Sequence, residues 1–177
     1  MPIYAEPNPI TISIVNFLHT IGLAANYGHI TEQSFVPGVL IYHGGILIDT
    51  QQLSYPSDIL HEAGHLAVKP PSLRQKTHIT AGKRAAEEMA AIGWSYAAAV
   101  YLGIDLSVLF HSEYKGGGQS LIDNFSRGTY IGVPILQWLG LTFDNIQAKT
   151  NGLTPYPSMQ KWLVESEPNM TESLSVL

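Results

Sequence analysis

Apolar residues recur along this chain with periods that shift from helical to extended and back, and each shift marks an element. Between residues 10 and 24, Ile10, Ile14, Phe17, Leu18 and Ile21 fall at three- and four-residue intervals, one buried face of an α-helix that ends near Gly22. From 39 to 49 the pattern becomes two short apolar runs, Val39-Leu40-Ile41-Tyr42 and Ile46-Leu47-Ile48-Asp49, joined by His43-Gly44-Gly45, which predicts a β-hairpin. A helix of about three turns should follow: Pro56 stops what precedes it, Ser57 suits the N-cap, Asp58 meets the positive end of the dipole, and Pro70-Pro71 ends it. The stretch Lys69 to Ala81, with Pro, Lys, Arg and His78, reads as a solvated, mobile connection. Ala85 to Leu102 is Ala-rich and helical. Leu121 to Leu141 predicts helix, turn and helix with Trp138 in the packing, and a last helix is expected through Met159, Trp162 and Leu163. Residues 166–177 have the composition of a disordered tail, and 1–165 that of one domain. The fold class is α+β: mostly helical, with a small hairpin or sheet beside the helix at 57–69.

That helix carries the chemistry. It reads His61-Glu62-Ala63-Gly64-His65 among Ile59, Leu60, Leu66, Ala67 and Val68, a polar island on an otherwise apolar segment. Side chains at i and i+4 share a face, so the two imidazoles can grip one Zn²⁺. A carboxylate directly after the first His lies beside such a metal, where it can take a proton from water. Buried charges must be paired or bound to metal, which favours a metal site over a surface helix with incidental His residues.

An open zinc site needs a third protein ligand. A His in the pattern His-x-x-Gly-x-x-His would mark the metzincins, but Leu66-Ala67-Val68-Lys69-Pro70-Pro71 stands there. The next acidic residues are Glu87 and Glu88, about 100° apart around the second helix, so one of the two is expected to face the metal. His61-Glu62-Ala63-Gly64-His65 followed by a Glu early in a second helix resembles the gluzincins, in particular the small ImmA/IrrE-like metallopeptidases, over roughly residues 36 to 105. The resemblance implies a zincin-like fold and a Glu-activated water on zinc. It favours Glu88, with Ala91, Trp94 and Ser95 at the small, aromatic and small positions that follow, and leaves Glu87 as the alternate. One departure is Ile92, which stands where gluzincins often keep Asp or Asn to orient a metal-bound His. The wording His-Glu-Ala-Gly-His-Leu-Ala-Val also resembles the zinc helix of membrane-bound AAA-type proteases, whose third ligand is a distant Asp, here Asp105 or Asp123.

Composition narrows the rest. Hydrophobic residues make up 45% and charged residues 13%, enough apolar mass for a substantial core. Nine basic against fourteen acidic residues give a net charge of −5 without a basic, aromatic-interleaved stretch, which argues against nucleic acid as a partner. There is no Cys, so any zinc is held by His and carboxylate. Neither a leader nor a membrane-spanning run is recognisable, so the expected setting is cytoplasmic, without a membrane partner. His111 and Tyr114, before Gly116-Gly117-Gly118, are candidates for the donor that stabilises an oxyanion, against the alternative of surface residues on a flexible connector. His19 and His29 lack any motif and read as ordinary residues. The expected function is zinc-dependent hydrolysis of a peptide or unfolded protein segment docked on the strand at 46–49. A regulatory zinc domain and a hydrolase of non-peptide substrates are the alternatives.

Overall fold

The structure, a computed structural model, describes residues 6–80 and 84–167. The first helix, α1 (Pro9–Thr20), starts where Asn8 accepts a hydrogen bond from the Thr11 amide at 2.8 Å, and buries Ile14, Phe17 and Leu18. Proline in its first turn costs nothing, because that N–H has no intrahelical acceptor.

The hairpin forms as β2 (Val39–Tyr42) and β3 (Gly45–Ile48), antiparallel, with Leu40 opposite Leu47. A third strand that the apolar pattern does not disclose, β1 (Ala25–Tyr27), pairs parallel with β3 and sets Ala25 opposite Ile46. The order β1-β3-β2 makes β3 the central strand, so 46–49 has no free edge for a peptide, contrary to expectation. The outer edge of β2 is met by the chain itself: the Val39 amide donates to the Val36 carbonyl at 3.1 Å, the Ser34 hydroxyl donates to the Val39 carbonyl, and the Ile79 amide donates to the Ile41 carbonyl at 2.8 Å.

The helix of the His pair is α2 (Asp58–Ala67). Ser57 sits at its N-cap position, but its hydroxyl donates to the Val108 carbonyl at 2.7 Å, tying the helix start to α5 (Leu106–Leu109) instead of capping it. Over α2 lies α4 (Ala85–Leu102), which Gly103 ends in the left-handed conformation. Their approach is close at Gly64, where a Cβ would stand 2.9 Å from the Ala91 carbonyl oxygen. Ser95 at the same crossing donates to Ala91 and lies 3.2 Å from the Leu60 carbonyl.

Between these helices the expected open connection contains a short helix, α3 (Pro71–Lys76), and it is anchored: Arg74 donates to the carbonyls of Leu66, Lys69 and Val164. A proline pair that ends one helix here begins another, since proline is favoured in a first turn. Of this connection, Ala81 lies outside the described residues. Beyond α5, the helices α6 (Gln119–Ser126) and α7 (Val133–Trp138) match the helix-turn-helix expectation, and α8 (Asn145–Asn151) was not anticipated. Trp138 is 63% exposed and does not serve as packing. The expected helix through Met159, Trp162 and Leu163 is absent among the described residues. That segment instead bridges Thr142 through Met159, accepts a hydrogen bond from the Trp94 indole at the Trp162 carbonyl, and donates from Val164 to the last turn of α2. The disordered-tail expectation lies outside the described residues from 168 onward, and Glu167 just before it accepts from the amide and hydroxyl of Ser72. No helix of the described residues is long and apolar enough to cross a membrane.

Candidate metal centre

Helical spacing puts His61 and His65 on the face of α2 that meets α4, 3% and 5% exposed, and the α2–α4 crossing brings the first turn of α4 beneath them. Their Nε2 atoms lie 3.1 Å apart. Glu88 closes the triangle, with Oε1 at 3.3 Å from His61 Nε2 and Oε2 at 3.2 Å from His65 Nε2. Each residue offers one ligand atom within 4.8 Å of the others, which makes a group able to hold a metal ion.

Glu87 also reaches the site, from the other side of the His65 ring. His65 Nδ1 donates to Glu87 Oε1 at 3.1 Å, and Glu87 in turn pairs with Lys69 at 2.5 Å. The 100° between consecutive helical residues therefore separates two tasks: Glu88 faces the ligand nitrogens and Glu87 the outward nitrogen of one ring. On His61 the outward nitrogen, Nδ1, lies 2.8 Å from the Tyr114 hydroxyl. Both rings are thus held from behind, the arrangement that fixes tautomer and orientation in metal-binding imidazoles. Ile92 removes one such partner from the sequence pattern, and Glu87 and Tyr114 supply two.

Electrostatics follow from burial and these contacts. Burial pushes His61 down to about 4, against the opposing hydrogen bond with Glu88. Burial acts the same way on His65, but the hydrogen bonds to Glu87 and Glu88 outweigh it and lift the group to about 9. Glu88 would be raised by burial, yet its contacts with His61 and His65 hold it well below the usual carboxylate range. Burial raises Glu62, the residue expected as the base. Glu62 borders a cavity of about 180 Å³ together with His65 and Glu88.

His61 borders a second cavity, of about 250 Å³, with Asp58, His111 and Tyr114. His111 is stacked on Tyr55 with ring centroids 3.6 Å apart, and its Nε2 lies 3.0 Å from Asp58 Oδ1. Tyr114 is 3% exposed, and burial, with nearby carboxylates, raises it well above its ordinary value, so it stays a neutral phenol. The last of the glycines after it is packed: a Cβ on Gly118 would stand 1.9 Å from the Phe110 carbonyl oxygen. That approach folds residues 111–118 back under His61.

Lys115, which carries no motif, borders both cavities and places Nζ 2.9 Å from Glu88 Oε1, on a backbone at φ 47°. Only the left-handed conformation at that position signals it, and sequence does not display it. Asp105 and Asp123, the alternative third ligands, are engaged elsewhere: Asp105 caps α5 through Ser107, and Asp123 accepts from Gln119. His19 and His29 serve structure, with His19 Nε2 2.7 Å from the Ala25 carbonyl and His29 Nδ1 2.8 Å from the buried Asp49 carboxylate.

If the rings are held as described, Glu87→Gln or Tyr114→Phe should weaken metal affinity about 10- to 100-fold without abolishing it, as loss of an outer partner does. Competition titration with a zinc chelator measures this, and unchanged affinity in both variants would remove the orienting role. Comparison with family models, with curated proteins and with solved structures finds no match, so what this centre does rests on its own geometry.

Proposed function

We propose that this protein is a zinc-dependent hydrolase, most simply a metallopeptidase of the gluzincin type. The observation that carries the reading is the spacing of the three donor atoms. Tetrahedral zinc with bonds of about 2.0–2.1 Å separates its ligands by roughly 3.3–3.4 Å. His61 Nε2 and His65 Nε2 lie 3.1 Å apart, and the Glu88 carboxylate reaches the first through Oε1 at 3.3 Å and the second through Oε2 at 3.2 Å, each contact close to that separation. Two imidazoles and one carboxylate form the donor set of open catalytic zinc sites, whereas closed structural sites are rich in thiolate, and this chain has no Cys.

Bound there, zinc would acidify a water and polarise a carbonyl oxygen. The chain's own residues do the rest. Glu62 takes the proton and hands it to the leaving amine, and its burial moves its pKa toward the range where both transfers are efficient. His61 and His65 keep their Nε2 lone pairs turned inward because Tyr114 and Glu87 hold the far sides of the rings. With Tyr114 engaged behind His61, the oxyanion role passes to His111, steadied by Asp58, and to Lys115 at the junction of the two cavities. Because β3 is internal, the peptide would take the outer edge of β2 at Ile41, displacing the Ile79 amide that holds its carbonyl in the resting protein.

The test is cleavage of a panel of unfolded, casein-like peptides by zinc-loaded protein. Chelation should stop it and stoichiometric zinc restore it. Full metal occupancy with no cleavage of any substrate would sink the hydrolase reading and favour a regulatory zinc domain.

A further inference from the structure

Ile79 is β-branched yet has φ 65°, a conformation such side chains rarely adopt. It sits at the tip of a three-residue turn, because the Thr80 amide donates to the His78 carbonyl at 2.8 Å, two residues back. With positive φ this is the strained form of the γ-turn. The turn is held on its N-terminal side: the Gly44 amide donates to the Thr77 carbonyl at 2.9 Å, and the His78 ring stacks on His43 with centroids 4.2 Å apart. What the strained tip gains is position. Its amide donates to the Ile41 carbonyl on the outer edge of β2, and the residue borders the 180 Å³ cavity, with Val36, Val39 and Ile41 at one part of the wall and Glu62, His65 and Glu88 at another.

We infer that Ile79 is a resident plug, its amide holding in the resting protein the Ile41 acceptor, and its side chain forming part of the wall of the cavity, that an extended peptide bearing a Val or Ile side chain takes beside the metal. The inference rests on the hydrolase reading for its substrate and on the observed turn for its geometry. An incoming strand needs an acceptor on the sheet edge and space for alternate side chains. Ile79 holds the acceptor with its amide and borders the space with a side chain that is 38% exposed. Substrate docking therefore requires the turn to release that acceptor, and the part of the cavity wall formed by Val36, Val39 and Ile41, beside the polar part, favours an aliphatic residue next to the bond that is cut.

Two substitutions separate the amide from the side chain. Ile79→Gly removes the side chain from the cavity wall and keeps the N–H, and glycine accepts the positive φ without strain. Ile79→Pro removes the N–H and cannot adopt that φ, so the turn is released. The probe is a short uncharged peptide of Ser, Thr and Gly with one central Ile, and a matched peptide with central Gly. Binding is followed by nuclear magnetic resonance on the full chain with excess zinc, in the Glu62→Gln background to prevent turnover. The Ile79→Pro protein should bind the Ile peptide more tightly than the parent, on the order of tenfold for a turn closed about nine-tenths of the time, with Ile79→Gly between them. In the parent, hydrogen exchange at the Ile79 amide should accelerate as the peptide saturates, and the Gly peptide should bind more weakly.

An Ile79 amide that stays protected at saturation overturns the plug, as does equal affinity in all three proteins or no binding in any. If Ile79→Pro unfolds by circular dichroism, the parent's exchange and Ile79→Gly decide. Displacement of Ile79 without cleavage by protein retaining Glu62 would reject the hydrolase reading and leave the plug standing.

Discussion

His61→Ala and His65→Ala should each reduce the metal content of the purified protein from about one zinc per chain to near zero, because each removes one of three protein donors. Zinc binding by a four-ligand site is worth about 10–16 kcal/mol, or roughly 2.5–4 kcal/mol per ligand, so one deletion costs about 10²–10³-fold in affinity. Glu88→Gln should approach that loss, since an amide oxygen is a poor substitute for an anionic ligand. It should exceed the effect of Glu87→Gln, whose carboxylate meets the outward nitrogen of His65 and Lys69 rather than the inward nitrogens. Metal analysis after gel filtration reads all four variants. Full occupancy in both His variants would dispose of the site, and a larger loss from Glu87→Gln than from Glu88→Gln would exchange the roles of the two carboxylates.

Glu62→Gln should keep zinc and lose hydrolysis by about 10²–10⁴-fold, the usual worth of a positioned general base. The amide has nearly the shape of the acid and cannot take the proton, and Glu62 is not among the clustered donor atoms, so metal affinity should hardly move. The pair of measurements matters more than either alone. Lost activity with lost metal would make Glu62 a structural residue, and retained activity would transfer the proton work to another group, with His111 the first to examine.

The parts of this molecule that are legible in its sequence are those governed by local periodicity. α1, α2, α4 and the β2–β3 hairpin each carry their apolar pattern and their stop signals within one segment. β1 escapes because Ala25-Asn26-Tyr27 has no alternation to display, and its existence depends on parallel pairing with β3 across the sheet. The segment through Trp162 has apolar spacing that resembles a helix, yet Trp162 packs against Phe17 at 4.9 Å and its neighbours spend their backbone groups on α2 and α4. Tertiary contacts decide such stretches. At the site the same division holds. Two His residues four apart announce themselves, and an adjacent pair of Glu residues narrows the third ligand to two. The partner of each outward ring nitrogen, Lys115 at the cavity junction and the turn at Ile79 all depend on how distant segments meet, which no spacing encodes.

The consecutive placement of Glu87 and Glu88 has a mechanical consequence. Turning α4 about its own axis moves both carboxylates at once, Glu88 relative to the Nε2 atoms of the two imidazoles and Glu87 relative to the Nδ1 of His65, so the candidate metal position and ring alignment cannot be adjusted independently. The glycine at position 64 sets that angle, because Ala91 rests directly on it. The helix behaves as a cam whose two lobes are adjacent residues, and any variant that rotates it is expected to shift metal affinity and the His65 Nδ1 resonance together.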